Sequence, residues 1–418
     1  MTSRERVRDA INFKETDRAP FDLGATFVTG LSAFEMKKLR ASYGLEEKPV
    51  KVFEPLMFLG EVEEDLLDSV GGDFIGIFGP DSLLAYENSN WKNWTAPNGE
   101  DFLVGEGFTT SVGDDGMVYL YANSNPNSEP AAHMPPHGFY FDHIYRQKPL
   151  GPDHEYNARV DYSDQYAVYT DHELRHFEKC ADYAYNNTDK SIIFNCGMGG
   201  LGDFFHIPGS WLEAPRGIRN LEDWMMAPYL HPEYVKDYYE MQTEICIKDL
   251  ELAYQAMGDK VDICYVSGTD FGAQNGPLMT IDAYREFYKP YMIRIMSWIH
   301  ENTPWKTMNH TCGAVADFID DFIETGLDIL NPVQVSAAGM DPKTLKDKYA
   351  DKIVFCGGTV NPQTTLAAGT PEEVYDETKK NTEILSAGGG FIGANIHNIQ
   401  AGTPTENIRA LISAVTGK

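Results

Sequence analysis

Short apolar runs and longer amphipathic stretches alternate through the second half of this chain. The runs are SIIFNCG (191–197), VDICYVSG (261–268), WKTMNHTCG (305–313), LDILNPV (327–333), KIVFCGG (352–358) and GFIGANI (390–396). Each is rich in branched or aromatic residues and runs into Gly, Asn or Pro, which is how strands buried on both faces read. Between them the 3.6-residue periodicity predicts helices at about 233–257, 280–302, 314–325, 341–349, 371–387 and 404–416. Thr280, Asp341, Thr370 and Thr403 stand where N-caps belong, and Pro follows Asp341 and Thr370. Strand–helix alternation predicts a parallel sheet, and this many units predict a closed (β/α)8 TIM barrel.

The first half is less regular. Residues 3–13 read as a helix ended by DRAP, FDLGA (21–25) as the first barrel strand, 50–70 as helical and 73–78 as a strand. From about 84 to 175 the chain is rich in Asn, Pro, Gly and aromatics, with two-residue alternation in FLVGEGFTTSVGDDGMVYLYA. That predicts a β-rich, aromatic insertion ending in the loop EPAAHMPPHGFYFDHIY. No internal repeat or low-complexity linker divides the chain, so 1–418 reads as one barrel domain with an elaboration.

Length and charge narrow the class. A chain of 418 residues, 42% of them hydrophobic, can bury a large core. Acidic residues outnumber basic ones 63 to 34, for a net charge of −29. Without a Lys/Arg block, nucleic acid and anionic membranes are excluded as partners. The N-terminus is charged and lacks an apolar signal core, and no apolar run reaches the ~20 residues of a membrane span. Six scattered cysteines (180, 196, 246, 264, 312 and 356) suit a reducing, cytoplasmic setting.

The candidate chemistry gathers at the strand exits, where barrels of this kind carry their sites. His310 and Cys312 stand two residues apart at one exit, so both side chains point to the same side. Imidazole nitrogen with thiolate sulfur suits zinc. His397, past the last strand, is the favoured third ligand, with Cys356 as its rival; three protein ligands would leave a position open for chemistry. Asp270, Asn309 and Gln334 follow neighbouring strands and are candidates to hold that position, orient a substrate or donate a proton, although Asp270 also suits a loop-capping role. His133, His137 and His143 are irregularly spaced and read as solvated or hydrogen-bonded histidines. Phe139, Tyr140, Phe141 and Tyr145 read either as loop packing or as cover for an apolar substrate. The glycine clusters CGMGG (196–200) and SAGGGF (386–391) suit tight turns, since neither forms G-x-G-x-x-G ahead of a helix.

The runs HTCGAVADFIDDFIETGLDILNPVQVSAAGMDPKTLKDKY, FCGGTVNPQTTLAAGTPEEV and GGGFIGANIHNIQAGTPTENIRAL, with RERVRDAINFKETDRAPFDLG at the start, resemble the uroporphyrinogen decarboxylase superfamily. The resemblance implies a (β/α)8 barrel and one of two chemistries. True decarboxylases carry an Arg-bearing motif near the N-terminus, but APFDLGATFVTG has no arginine after Arg18. The other branch resembles cobalamin-dependent methyltransferases, which hold zinc on H-x-C plus a later cysteine. His310 and Cys312 match that motif; His397 replaces the later cysteine, and Gln334 stands where a Glu is common. The implied function is transfer of a methyl group from a methylated small molecule, an aryl methyl ether foremost, to cobalamin on a separate corrinoid protein. The chain lacks the D-x-H-x-x-G corrinoid motif, so cobalamin must arrive on that partner. A metal-free decarboxylase and a non-catalytic tetrapyrrole- or corrinoid-binding protein are the rival readings; a homodimer is compatible with all three.

Overall fold

A computed structural model of the chain describes residues 1–151 and 153–418. Seven strands form one parallel sheet: β1 (Phe74–Ile77), β2 (Ser191–Asn195), β3 (Ile263–Ser267), β4 (Lys306–His310), β5 (Ile329–Asn331), β6 (Val354–Cys356) and β7 (Phe391–Ile392), each paired to the next in chain order. The sheet curls until its edges meet across Phe21. Phe21 bridges Gly393 beyond β7, with Asp22 N donating to Gly393 O (2.9 Å), and Asp73 N donates to Phe21 O (2.8 Å). A two-residue contact thus fills the eighth position and completes the predicted (β/α)8 ring.

Alternation along the strands sorts residues into two layers. Phe74, Ile193, Ile263, Met308, Ile329, Val354 and Ile392 fill the barrel interior. Val266, Leu330 and Phe355 face outward into the larger core beneath the helices. Those helices follow the sequence closely: Pro232–Met257, Ile281–Phe287 with Lys289–Asn302, Ile319–Glu324, Pro342–Tyr349, Pro371–Ser386 and Thr405–Thr416. Thr280, Asp341 and Thr370 accept from backbone N–H groups as N-caps, and Thr370 forms a capping box with Glu373. Thr403 does not cap; its hydroxyl donates to Gln400 O (2.8 Å), and Pro404 occupies the cap position.

The reading of 50–70 as helical is wrong over its first half. Lys51–Glu54 and Leu59–Gly60 are antiparallel strands, and only Glu64–Val70 is helical. The Glu54 carboxylate accepts from Leu56 N (2.9 Å) and Met57 N (2.6 Å), which turns the chain at Pro55 and lets Val52 pair with Gly60. These strands join Lys92–Thr95 and Asp101–Val104 in one four-stranded sheet, and Thr110–Val112, Val118–Leu120, Ala132–Met134 and Asp142–His143 form a second. Phe141 is buried against Phe58, Trp94 and Phe108, and Phe139 packs on Phe34 at 5.2 Å. Phe141 therefore packs inside the molecule, while Phe139, Tyr140 and Tyr145 are exposed.

At the opposite end from the strand exits, Arg6 and Arg18 both pair with the fully buried Asp73 at 2.7 Å, and Asp73 also accepts from Phe21 N (2.8 Å). Arg18 is thereby committed to fastening the ring. Among the described residues no helix is long and apolar enough to cross a membrane.

Candidate metal centre

The exit of β4 is built to present two side chains. His310 ends the strand and points inward like Met308, two residues before it. Thr311 N extends the ladder to Asn331 O (2.7 Å), and its hydroxyl accepts from Phe271 N (2.8 Å). The chain then turns through Gly313, whose φ of +87° is left-handed. A Cβ there would lie 2.3 Å from the Gly272 carbonyl carbon, so this turn requires glycine. Asp270 Oδ1 accepts from Cys312 N at 2.6 Å and Gln334 Oε1 accepts from Gly313 N at 2.7 Å. Asp270 and Gln334 thus clamp the backbone that aims Cys312.

His310 has one open nitrogen. Its Nδ1 lies 2.6 Å from Asn331 Oδ1, which can only accept, so the proton sits on Nδ1 and Nε2 keeps a bare lone pair. That lone pair faces Cys312 Sγ at 3.2 Å. His397 comes in from beyond β7, its ring 5.2 Å from that of His310. Ligand atoms of His310, Cys312 and His397 all lie within 4.8 Å of one another. Among the described residues this is the one such cluster of three. The sequence candidates His310, Cys312 and His397 therefore come together, with Asp270 beside them: its Oδ1 is 3.8 Å from His310 Nε2.

Two candidates stand apart. Cys356 packs in the barrel interior, its sulfur 3.4 Å from Asn331 Nδ2, on the far side of Asn331 from His310. Asn309 is turned by the strand pleat to the opposite face from His310, and its buried Oδ1 has no partner among the described residues. Two groups the sequence did not single out complete the surroundings. Asn331 sets the His310 tautomer, and Asp203 brings a second carboxylate whose charge acts on His310, Asp270 and Tyr265. A signal for Asn331 existed: it ends the apolar run LDILN, at a strand exit.

Burial dominates the electrostatics. It pushes the His310 and His397 imidazoles down to about 4, so both are neutral at pH 7. Burial, aided by Asp270, holds the Cys312 thiol well above its ordinary range. Burial likewise lifts Asp270 to about 6 against the opposing Cys312 N–H. Neutral imidazoles are ready ligands; the thiol must give up its proton on binding a metal.

The donor set fits zinc. Bonds of about 2.0–2.3 Å in tetrahedral array place ligand atoms roughly 3.3–3.7 Å apart, close to the His310–Cys312 separation of 3.2 Å and reachable from 4.8 Å by small side-chain movements. Three protein donors leave a fourth position free. A cleft of about 290 Å³ adjoins His397. A larger groove of about 730 Å³ lies between helix Asp171–Asn187 and residues 61–67, and none of the three donors lines it.

Comparison with known proteins agrees with this architecture. The sequence pattern of the family Uroporphyrinogen decarboxylase (URO-D) matches residues 213–417. No curated protein matches the chain. Among solved structures, a methyltransferase from Methanosarcina mazei superposes over 99% of this chain and 98% of its own, at 14% identity and a TM-score of 0.54, a likeness of fold. A Penicillium canescens endo-1,4-beta-xylanase XylE superposes over 60% of this chain and 81% of its own at 13% identity, with a TM-score of 0.33 that carries no weight. The family pattern spans β3 to β7 and all three candidate donors, so residues 213–417 of this chain are similar to the Uroporphyrinogen decarboxylase (URO-D) family.

Proposed function

We propose that this chain is the substrate-side methyltransferase of a corrinoid-dependent demethylation system. It would move a methyl group from a methylated small molecule, an aryl methyl ether foremost, to a separate corrinoid protein. The observation that carries the reading is the convergence of His310 Nε2, Cys312 Sγ and a His397 ring nitrogen at one barrel mouth. Zinc held by these three would supply Lewis acidity at the heteroatom bearing the methyl group, making it a better leaving group. Cobalamin on the partner would supply the Co(I) nucleophile.

The chain's own residues do the rest. Asn331 fixes His310 in the tautomer with Nε2 open, and Asp270 with Gln334 fixes the turn that delivers Cys312. Asp270 Oδ1 is committed to Cys312 N, so Oδ2 is the atom left to hold a proton for the departing oxygen. The Methanosarcina mazei neighbour, described as a methyltransferase, accords with this choice over decarboxylation. So does the commitment of Arg18 to Asp73, which leaves it unable to receive an acidic tetrapyrrole side chain.

The test is the metal content of the purified protein beside His310→Ala and Cys312→Ser. Near-stoichiometric zinc in the wild type and its loss in both variants is the expected result, followed by methylation of a reduced corrinoid protein when aryl methyl ethers are supplied. A zinc-free wild type would overturn the proposal.

A further inference from the structure

The cleft beside His397 runs between residues 362–367, which follow β6, and residues 397–403, which follow β7. His397 belongs both to its wall and to the donor cluster, so whatever fills the cleft lies against one of the three candidate donors. Its volume, about 290 Å³, falls just below the roughly 300–1,000 Å³ of small-molecule sites. That is room for a single substituted ring and too little for a tetrapyrrole.

The lining is uncharged. Pro362, Leu366, Ala367 and Ala401 give it apolar walls; Gln363, Asn398 and Gln400 give it amides; among the described residues no Lys, Arg, Asp or Glu lines it. The adjacent carboxylate, Glu35, is buried behind the wall, where Oε1 accepts from Gly402 N (2.8 Å). Two of the amides are committed through their donors. Gln363 Nε2 donates to Gln274 Oε1 (3.1 Å) and Gln400 Nε2 to Asn398 O (3.0 Å). Their carbonyl oxygens are left to accept from a hydroxyl on the ligand. The walls are held in place: Asn398 Oδ1 accepts from Gly30 N (2.7 Å), and Asn407 Nδ2 donates to Leu366 O (3.0 Å). A charge entering such a cleft loses its water and gains no counter-charge from the side chains of its wall.

We propose that this cleft receives the uncharged body of the methyl donor, so that the enzyme takes neutral, single-ring, hydroxyl-bearing methyl ethers and rejects carboxylates, betaines and thiolates. The inference rests on the methyltransferase reading for the word donor, but the cleft can be tested by binding alone.

Binding of 2-methoxyphenol and 4-methoxybenzoate to the full chain would be followed by ligand-observed NMR. The wild type should bind the neutral phenol about tenfold or more tighter than the anion, a difference of about 1.4 kcal/mol or more. Ala367 is exposed on the cleft wall, so Ala367→Trp fills the cleft without disturbing a core. It should weaken 2-methoxyphenol about tenfold or more, at unchanged zinc content and melting temperature, and Ala401→Leu should act in the same direction. Equal affinity for the anion, no binding of the phenol, or binding unchanged in both variants would overturn the proposal. If the binding pattern holds but no methyl group reaches Co(I), the cleft stands and the methyltransferase reading falls. If methyl transfer proceeds undisturbed by Ala367→Trp, the cleft falls and the reading stands.

Discussion

Replacing Asn331 by Ala is the sharpest probe of how the proposed metal centre is set. The perturbation removes one acceptor, the Oδ1 that lies 2.6 Å from His310 Nδ1. Without zinc the imidazole can escape by moving its proton to Nε2, toward Cys312 Sγ at 3.2 Å. The metal-binding tautomer has no such escape, because its Nδ1–H would then be buried without a partner. That penalty is about 1–3 kcal/mol, and it falls on the zinc-bound state. The cavity left by the missing amide burdens both states alike and cancels. At 1.4 kcal/mol per decade the expected loss in zinc affinity is about 10–100-fold, the range found when the hydrogen-bond partner of a ligating histidine is removed. The assay is competition with a chromophoric zinc chelator at fixed pH, with Asn331→Asp alongside. The aspartate restores an acceptor and should hold wild-type affinity or exceed it. Undiminished affinity in Asn331→Ala would refute the assignment of Nε2 as the ligating nitrogen.

Two further predictions concern the barrel itself. Burial pushes the Asp22 carboxyl up to about 6, and its Oδ2 is buried without a partner among the described residues. The folded state therefore keeps a proton that the unfolded chain releases near 3.9, so stability falls as pH rises through about 4 to 6 and levels off above; Asp22→Asn should gain about 1–3 kcal/mol at pH 8 and almost nothing at pH 4. Urea unfolding at the two pH values checks this, and an equal gain at both would sink it. A Cβ at Gly76 would stand 2.3 Å from Ala25 O, so Gly76→Ala should cost about 3 kcal/mol as the segment holding Ala25 is forced away from β1; a wild-type melting curve would contradict that close approach.

The second half was legible because each of its units obeys local rules. Runs such as SIIFN are buried on both faces, and Thr280, Asp341 and Thr370 stop the chain from running on as strand. The 51–60 hairpin was not legible, since its turn is made by the Glu54 carboxylate reaching two backbone N–H groups and by Phe58 at a φ of +55°. Neither leaves a mark on hydrophobic periodicity. Helices Ala33–Ser42 and Asp171–Asn187 went unread beside the elaboration, although Thr170 and Glu173 carry a capping box. At the site, spacing alone brought His310 and Cys312 together, and strand order brought His397. Asn331 needed the fold, because only the register of β4 against β5 sets it opposite His310.

The barrel is a bracelet with a clasp. Its ring is fastened where Phe21 meets Gly393, and His397 lies four residues past that fastening. During synthesis the segment holding Phe21 is made early and waits for a partner made more than 370 residues later. Until residue 393 has emerged and found Phe21, His310 and Cys312 hang on an open sheet as a two-donor site. The third donor arrives only with closure, so tight capture of the proposed metal would be postponed until the ring is complete. An ion held there would then report on the integrity of the whole ring.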